Sequence, residues 1–395
     1  MKADKTKKLS SQKSTNGSAN NSRNKHYILV AALTLLGASV IQLILATSYL
    51  TAFHNPKPDN LPIGIVKGNV PTAQVNDAIK KESKGAFDTK DFANASDAEQ
   101  ALKTQEIFAI YSPALPQSTI TTASANGKST SEFVASSLSK FDEGLQKQLR
   151  LQLAQNPQTA AQSQAPIIAA KSTDIAPLNS GDGGASLFYT AFSAVFGGYL
   201  AAVALNLVRG KRDFTKRNAL IRSVGFAITG IVTSLVIAAV ATHGVQAFPS
   251  ENYWAIAGIL ALTYIGVALF SSALISVMGI AGTALVIILF VILGNPASGG
   301  VVPVQLTGAG PWQWLSSILP TGASVSSMRQ AIFFGGTDIM KHLWVLIAYV
   351  VIGFGILLAF GRGKSSISVY EDEIAEEVSE AQHSPKAKIG SEAGE

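Results

Sequence analysis

The sequence predicts an α-helical integral membrane protein: six transmembrane helices, with an α/β extracytoplasmic domain inserted between helices 1 and 2. Three observations carry this. Charged residues make up 14% of the chain, against about 25% in ordinary soluble proteins. Stretches 27–53, 186–208, 223–250, 252–294 and 342–361 contain no Lys or Arg, so all 31 basic residues lie outside them. Such segregation is what hydrocarbon demands, because a central charge costs about 2.5–3.5 kcal/mol on insertion scales. Residues 54–185, by contrast, hold 12 basic and 13 acidic residues and read as a soluble insertion.

Residues 1–26 form a basic tail rich in Ser, Asn and Lys, expected to be disordered and able to touch anionic lipid. The first span is expected at 27–53, where a cleaved signal peptide is the rival, although its apolar core exceeds the usual length of about 7–15 residues. Within 54–185, LPIGIVKGN (61–69), EIFAIYSPAL (106–115), STITTAS (118–124) and APIIAAKSTDIAPLN (165–179) read as strands, and DAEQALKTQ (97–105) reads as a helix. In 131–155, Phe133, Val134, Leu138, Phe141, Leu145, Leu149 and Leu153 recur at three- and four-residue steps, a long helix that packs on the domain or extends as a stalk. The absence of cysteine rules out a disulfide framework.

Five further spans are expected at 186–208, 219–242, 253–272, 275–294 and 342–361, because one span needs about 20 apolar residues. The block 252–294 is too long for one helix, and Ser271–Ser276 is the expected turn within it. The basic tail and the basic loop RGKRDFTKR (209–217) both belong on the cytoplasmic side. Counting spans between them gives a multi-pass cell-membrane protein with both termini cytoplasmic and an acidic cytoplasmic tail at 362–395.

The chemistry of catalysis is missing. ANGKST (125–130) lacks the first glycine of a phosphate-binding loop, since position 122 is Thr, and it reads as a turn. The five histidines are scattered and no nucleophile signature appears, so no enzyme activity, metal, cofactor or nucleic-acid partner is expected. The membrane interior carries no titratable group of the kind that proton- and ion-coupled transporters place near the midplane. Energy for any transport then comes from another chain. A transporter coordinating sodium through backbone groups is a competing reading.

The segment 295–340 is too broken to span the bilayer and too apolar for an ordinary loop. It is expected to form a re-entrant elbow of Asn295, Pro296, Ser298, Gly299, Gly300, Pro303, Pro320 and Arg329, capping the bundle. Trp312, Trp314, Leu315, Ile318 and Leu319 suit a short interfacial helix that Pro320 ends, with ASVSSMRQAIFF forming another.

GNPASGG (294–300), Pro303, ILP (318–320) and the lone Arg329 together resemble the last extracytoplasmic segment of ABC type-2 permeases, in particular the YhgE/Pip-like and nitrosoguanidine-resistance-type membrane proteins. LPIGIVKGN and DIAPLNSGDGG (174–184) before FGGYLAA (196–202) extend the likeness over residues 27 to 361. The resemblance implies a homodimeric or paired permease in the lipid bilayer, exporting an amphiphilic, peptide or drug-like substrate with a cytosolic ABC ATPase. It gives Arg209, Lys211, Arg212, Lys216 and Arg217 a role as the ATPase-coupling loop; otherwise these residues only set topology. The competing function is a non-transporting surface protein, a phage receptor or secretion scaffold acting through 54–185.

Overall fold

From Leu61 the chain alternates strand and helix in the computed structural model, which describes residues 43, 44, 47, 48, 60–68, 70, 72–155, 167–179, 181–209, 216–307 and 310–360. The elements of this part are β1 (Leu61–Val66), α1 (Thr72–Ser83), β2 (Phe87–Phe92), α2 (Ala95–Lys103), β3 (Ala109–Ser112), β4 (Thr119–Thr122), α3 (Lys128–Gln155) and β5 (Lys171–Asp174). They build one five-stranded sheet of order β2-β1-β3-β4-β5, in which only the β3–β4 pairing is antiparallel.

Alternation along β1 explains the layers, since successive side chains point to opposite faces. Leu61, Ile63 and Ile65 face α1 and α3, meeting Val75, Ile79, Val134, Leu138, Phe141 and Leu145. Val66 joins the opposite face with Ile110 and with Ala98, Ala101 and Leu102 of α2. Each such Val, Leu, Ile or Phe side chain contributes about 1.5–3 kcal/mol on full burial. Asn94 caps α2 by accepting from Asp97 N at 2.9 Å, which sets that helix's start. The long helix α3 packs on the sheet through Leu145, while Leu151 beyond it is 68% exposed.

Two elements escape the sequence pattern. The stretch FDTKDF (β2) is an edge strand with a mostly exposed, polar face, and α1 precedes it. An edge strand pairs through its backbone and needs no apolar alternation.

The membrane part comprises α4 (Ser186–Arg209), α5 (Lys216–Ala239, continuing as a π-turn at Val240–Gly244), α6 (Tyr253–Met278), α7 (Ile280–Val286, continuing as π-helix to Leu293), α8 (Trp312–Ile318), α9 (Pro320–Phe333) and α10 (Ile339–Ala359). The central helix is α6, packed against α4, α5, α9 and α10. Arg222, buried near the start of α5, donates to Asn206 Oδ1 of α4 at 2.9 Å, so its charge sits at a helix end and is hydrogen-bonded.

The expected turn at Ser271–Ser276 does not form. Helix α6 runs on to Met278, and the reversal lies at Gly279, whose φ of 61° and ψ of −130° suit glycine alone. Ser271 and Ser272 are instead fully buried, as small residues that let membrane helices pack closely.

Among the described residues four helices are long and apolar enough to cross a membrane: Ser186–Asn206, Lys216–Gly244, Ser250–Met278 and Ile339–Ala359. The apolar helix Ile280–Leu293, expected as a full span, is shorter. At 1.5 Å per residue it is about 21 Å long, against a hydrocarbon core of about 30 Å. Most of the first expected span lies outside the described residues. Within it Ser48 Oγ donates to Ile292 O at 3.2 Å, tying that segment to the end of the π-helix. Both tails and residues 156–166 also lie outside them.

Candidate functional site

The elbow begins where α7 ends. Asn295 and Pro296 start a single 3-10 turn through Ser298, with Ser298 N donating to Asn295 O at 3.1 Å. Pro296 sits at the first helical position, where its missing N–H leaves nothing unpaired. Gly299 is left-handed (φ 62°), and Ser298 Oγ accepts from Gly300 N at 3.3 Å. Gly300 abuts Phe188 of α4, where an added Cβ would lie 2.7 Å from the Phe188 Cβ. Pro303 is buried against Gly127 of the α/β unit.

Helices α8 and α9 follow, and Pro320 opens α9 as its first residue while breaking α8 after Leu319. Trp312 and Leu315 of α8 are buried while Trp314 and Ile318 are exposed, so one side of this helix packs on protein and the other is open. Helix α9 is buried from Pro320 to Val325 and again from Ser327 to Gln330, enclosed by α4, α6 and α10. Thr321, Ser324 and Ser327 recur at three-residue steps, and Thr263 Oγ of α6 donates to Ser324 Oγ at 3.0 Å. A polar helix survives here because protein, not lipid, surrounds it.

Arg329 is the centre of the arrangement and is 2% exposed. Its Nε donates to Ala125 O at 2.8 Å, Nη1 to Gln105 Oε1 at 3.1 Å and Nη2 to Gly299 O at 2.6 Å. One planar fork thus joins α9 to the elbow and to two loops of the α/β unit. Next to it Gln330 Nε2 donates to Lys103 O at 2.9 Å, while Phe333 and Phe334 pack on the Ala125 and Leu102 face. Among the described residues no carboxylate lies within ion-pair distance of Arg329. Carbonyl dipoles hold its charge, and burial lowers its pKa from 12.5 to about 10, which leaves it cationic at neutral pH.

The expected site therefore divides. Asn295, Pro296, Ser298, Gly299, Gly300, Pro303, Pro320 and Arg329 fall together in one region, linked by the contacts above. The basic group is separate from it. Arg209 ends α4, Lys216 and Arg217 are exposed at the start of α5, and Lys211 and Arg212 lie outside the described residues.

Sequence reasoning missed the elbow's partners Gln105, Ala125 and Gly127. ANGKST, read as a turn, is a buried 3-10 turn at Ser124–Asn126 followed by the start of α3. Asn126 Nδ2 donates to Leu102 O at 2.7 Å, which holds the turn in place. The one available hint was the Asn126-Gly127 pair, since glycine also marks close backbone approach. Among the described residues no cluster of His, Asp and Glu is arranged to hold a metal.

Residues 28–359 match a family model described as ABC-2 family transporter protein. No curated protein and no solved structure matches the chain.

Proposed function

The chain belongs to the ABC-2 family of transporter proteins, and from that membership we infer that it is the membrane permease subunit of an exporter powered by a separate cytosolic ATPase. Proteins of this family are transporters rather than enzymes, and they typically work with a cytosolic ATPase. The substrate class is an amphiphile, a peptide or a drug-like molecule, and the working unit is a homodimer or a pair of permeases in the plasma membrane. The α/β unit faces outward, both termini face the cytoplasm, and Arg209, Lys211, Arg212, Lys216 and Arg217 meet the ATPase.

The observation that carries this reading is the family match over residues 28–359, and the fastening at Arg329 fits it. A display domain on a passive anchor needs no buried fork into the membrane part. A permease that changes shape at its outer end does, because the elbow and the α/β unit then move together. The YhgE/Pip-like placement fits the layout of one span, a large insertion and the remaining helices.

Export measured in cells tests the assignment. Reversing the charge of Arg209, Lys211 and Arg212 together is expected to abolish efflux while the protein stays in the membrane. Pro296→Leu in the elbow is expected to reduce efflux at normal expression. A phenotype that survives both changes and disappears only on deletion of the α/β unit would instead establish the surface-protein function.

A further inference from the structure

The α/β unit contains a cavity of about 260 Å³ between α1 and α3. Its floor is Ile79, Phe87, Leu138 and Phe141, all buried, and Phe133 stands beside Phe87 with ring centroids 6.2 Å apart. Phe133 is 44% exposed, although it lies on the apolar stripe of α3. Glu82 and Lys140 also line the cavity and are exposed. Ser83 lines it too, and its Oγ is buried with no hydrogen-bond partner among the described residues. A packing core would be expected to close such a gap.

Size and place narrow the occupant. Drug-sized ligands fill about 300–1,000 Å³, so this cavity has room for one chain or ring and not for a two-chain lipid. Ala86 lines it, and Ala86 O accepts from Leu61 N at 2.9 Å. Leu61 follows residue 53, the expected end of the first span, by eight residues, which span at most about 28 Å. The apolar floor with one acid and one base at its opening matches an apolar tail bearing both charges on its head.

We propose that this cavity binds a single-chain amphiphile with a zwitterionic head, its tail against Phe87, Phe133 and Phe141 and its head between Lys140 and Glu82. That the amphiphile is the exported substrate rests on the permease reading; the binding itself does not.

The test uses the purified full chain in nanodiscs of phosphatidylglycerol and a lysophosphatidylcholine carrying a diazirine in its acyl chain. After irradiation, cross-links are mapped by mass spectrometry. They are expected on residues 79–87 and 133–141, and about tenfold weaker in Ser137→Trp, which fills the cavity, and in Phe133→Asp, which places a charge in its apolar wall. Cross-links to the lipid-facing side of α5 stay unchanged in both variants and report that the protein is still inserted. Lys140→Glu is expected to weaken labelling by the zwitterion and strengthen labelling by a diazirine alkyltrimethylammonium. Labelling confined to the membrane helices, or labelling of the α/β unit that neither variant reduces, overturns the proposal. An unchanged response to Lys140→Glu overturns the assignment of the head group. Failure of the permease reading would appear in efflux and would leave these cross-links in place.

Discussion

Arg329 Nε and the carbonyl of Ala125 lie 2.8 Å apart although 204 residues separate them in the chain. This bond and its neighbours fasten the sheet to the elbow. Replacing Arg329 with Met leaves the carbonyls of Ala125 and Gly299 and the amide of Gln105 without their donor. The loss is partly offset because a buried charge disappears, so the net destabilisation is about 3 kcal/mol. Thermal unfolding of the solubilised protein is expected to shift downward, and trypsin to cut after Lys103 sooner. Arg329→Lys recovers little, because an ammonium cannot span the three acceptors. The sign of the pH effect is set by a folded pKa of about 10 below an ordinary 12.5: the burial penalty is constant below pH 10 and relieved only above it. The gap between wild type and Arg329→Met is therefore flat between about pH 5 and 9.

Tyr111 is a pH-sensitive member of the α/β unit's core. Its hydroxyl donates to the fully buried Asp142 at 2.6 Å, and Gln146 Nε2 donates to the other Asp142 oxygen at 2.7 Å. Burial first, and Asp142 second, raise the Tyr111 pKa well above its ordinary 10.0. A raised folded pKa means that the stability this phenol contributes is complete below pH 10 and is lost as pH climbs past it. Melting temperatures measured from pH 8 to 11 are expected to fall above pH 10 in wild type and to fall less steeply in Tyr111→Phe. At pH 8 that variant is less stable by about 1–3 kcal/mol, because Asp142 loses a donor.

Gly127 and Pro303 form the second fastening. Gly127 has φ of 135°, and a Cβ there would lie 2.6 Å from Pro303 Cγ. Gly127→Ala is expected to destabilise through both backbone strain and this clash. Adding Pro303→Ala removes only the clash, so the double mutant should regain part of the loss. The predicted coupling is about 0.5–3 kcal/mol in a double-mutant cycle of melting data, and strict additivity would remove the contact from the account.

The parts legible in the sequence are those where apolar residues obey a period. The long charge-free runs announced α4, α5 and α10, and the leucine stripe announced α3. The elbow was legible as a set, because Pro296, Gly299, Gly300 and Pro320 break both helix and strand. Its partners were not, since Gln105 and Ala125 are ordinary residues whose role comes from a backbone carbonyl or an amide meeting Arg329 across more than 200 positions. The turn at Gly279 was hidden for a different reason. Serine and glycine both serve as small packing residues between membrane helices, so neither marks a reversal by type alone.

The energy source of transport is open to direct measurement. Efflux of a fluorescent single-chain amphiphile should be followed in cells with and without the chain, first with the ion gradient collapsed but ATP maintained, then with ATP depleted and the gradient imposed. Chain-dependent efflux that persists in the first condition and stops in the second is the predicted result. Chain-dependent efflux that follows the ion gradient and continues without ATP would contradict it.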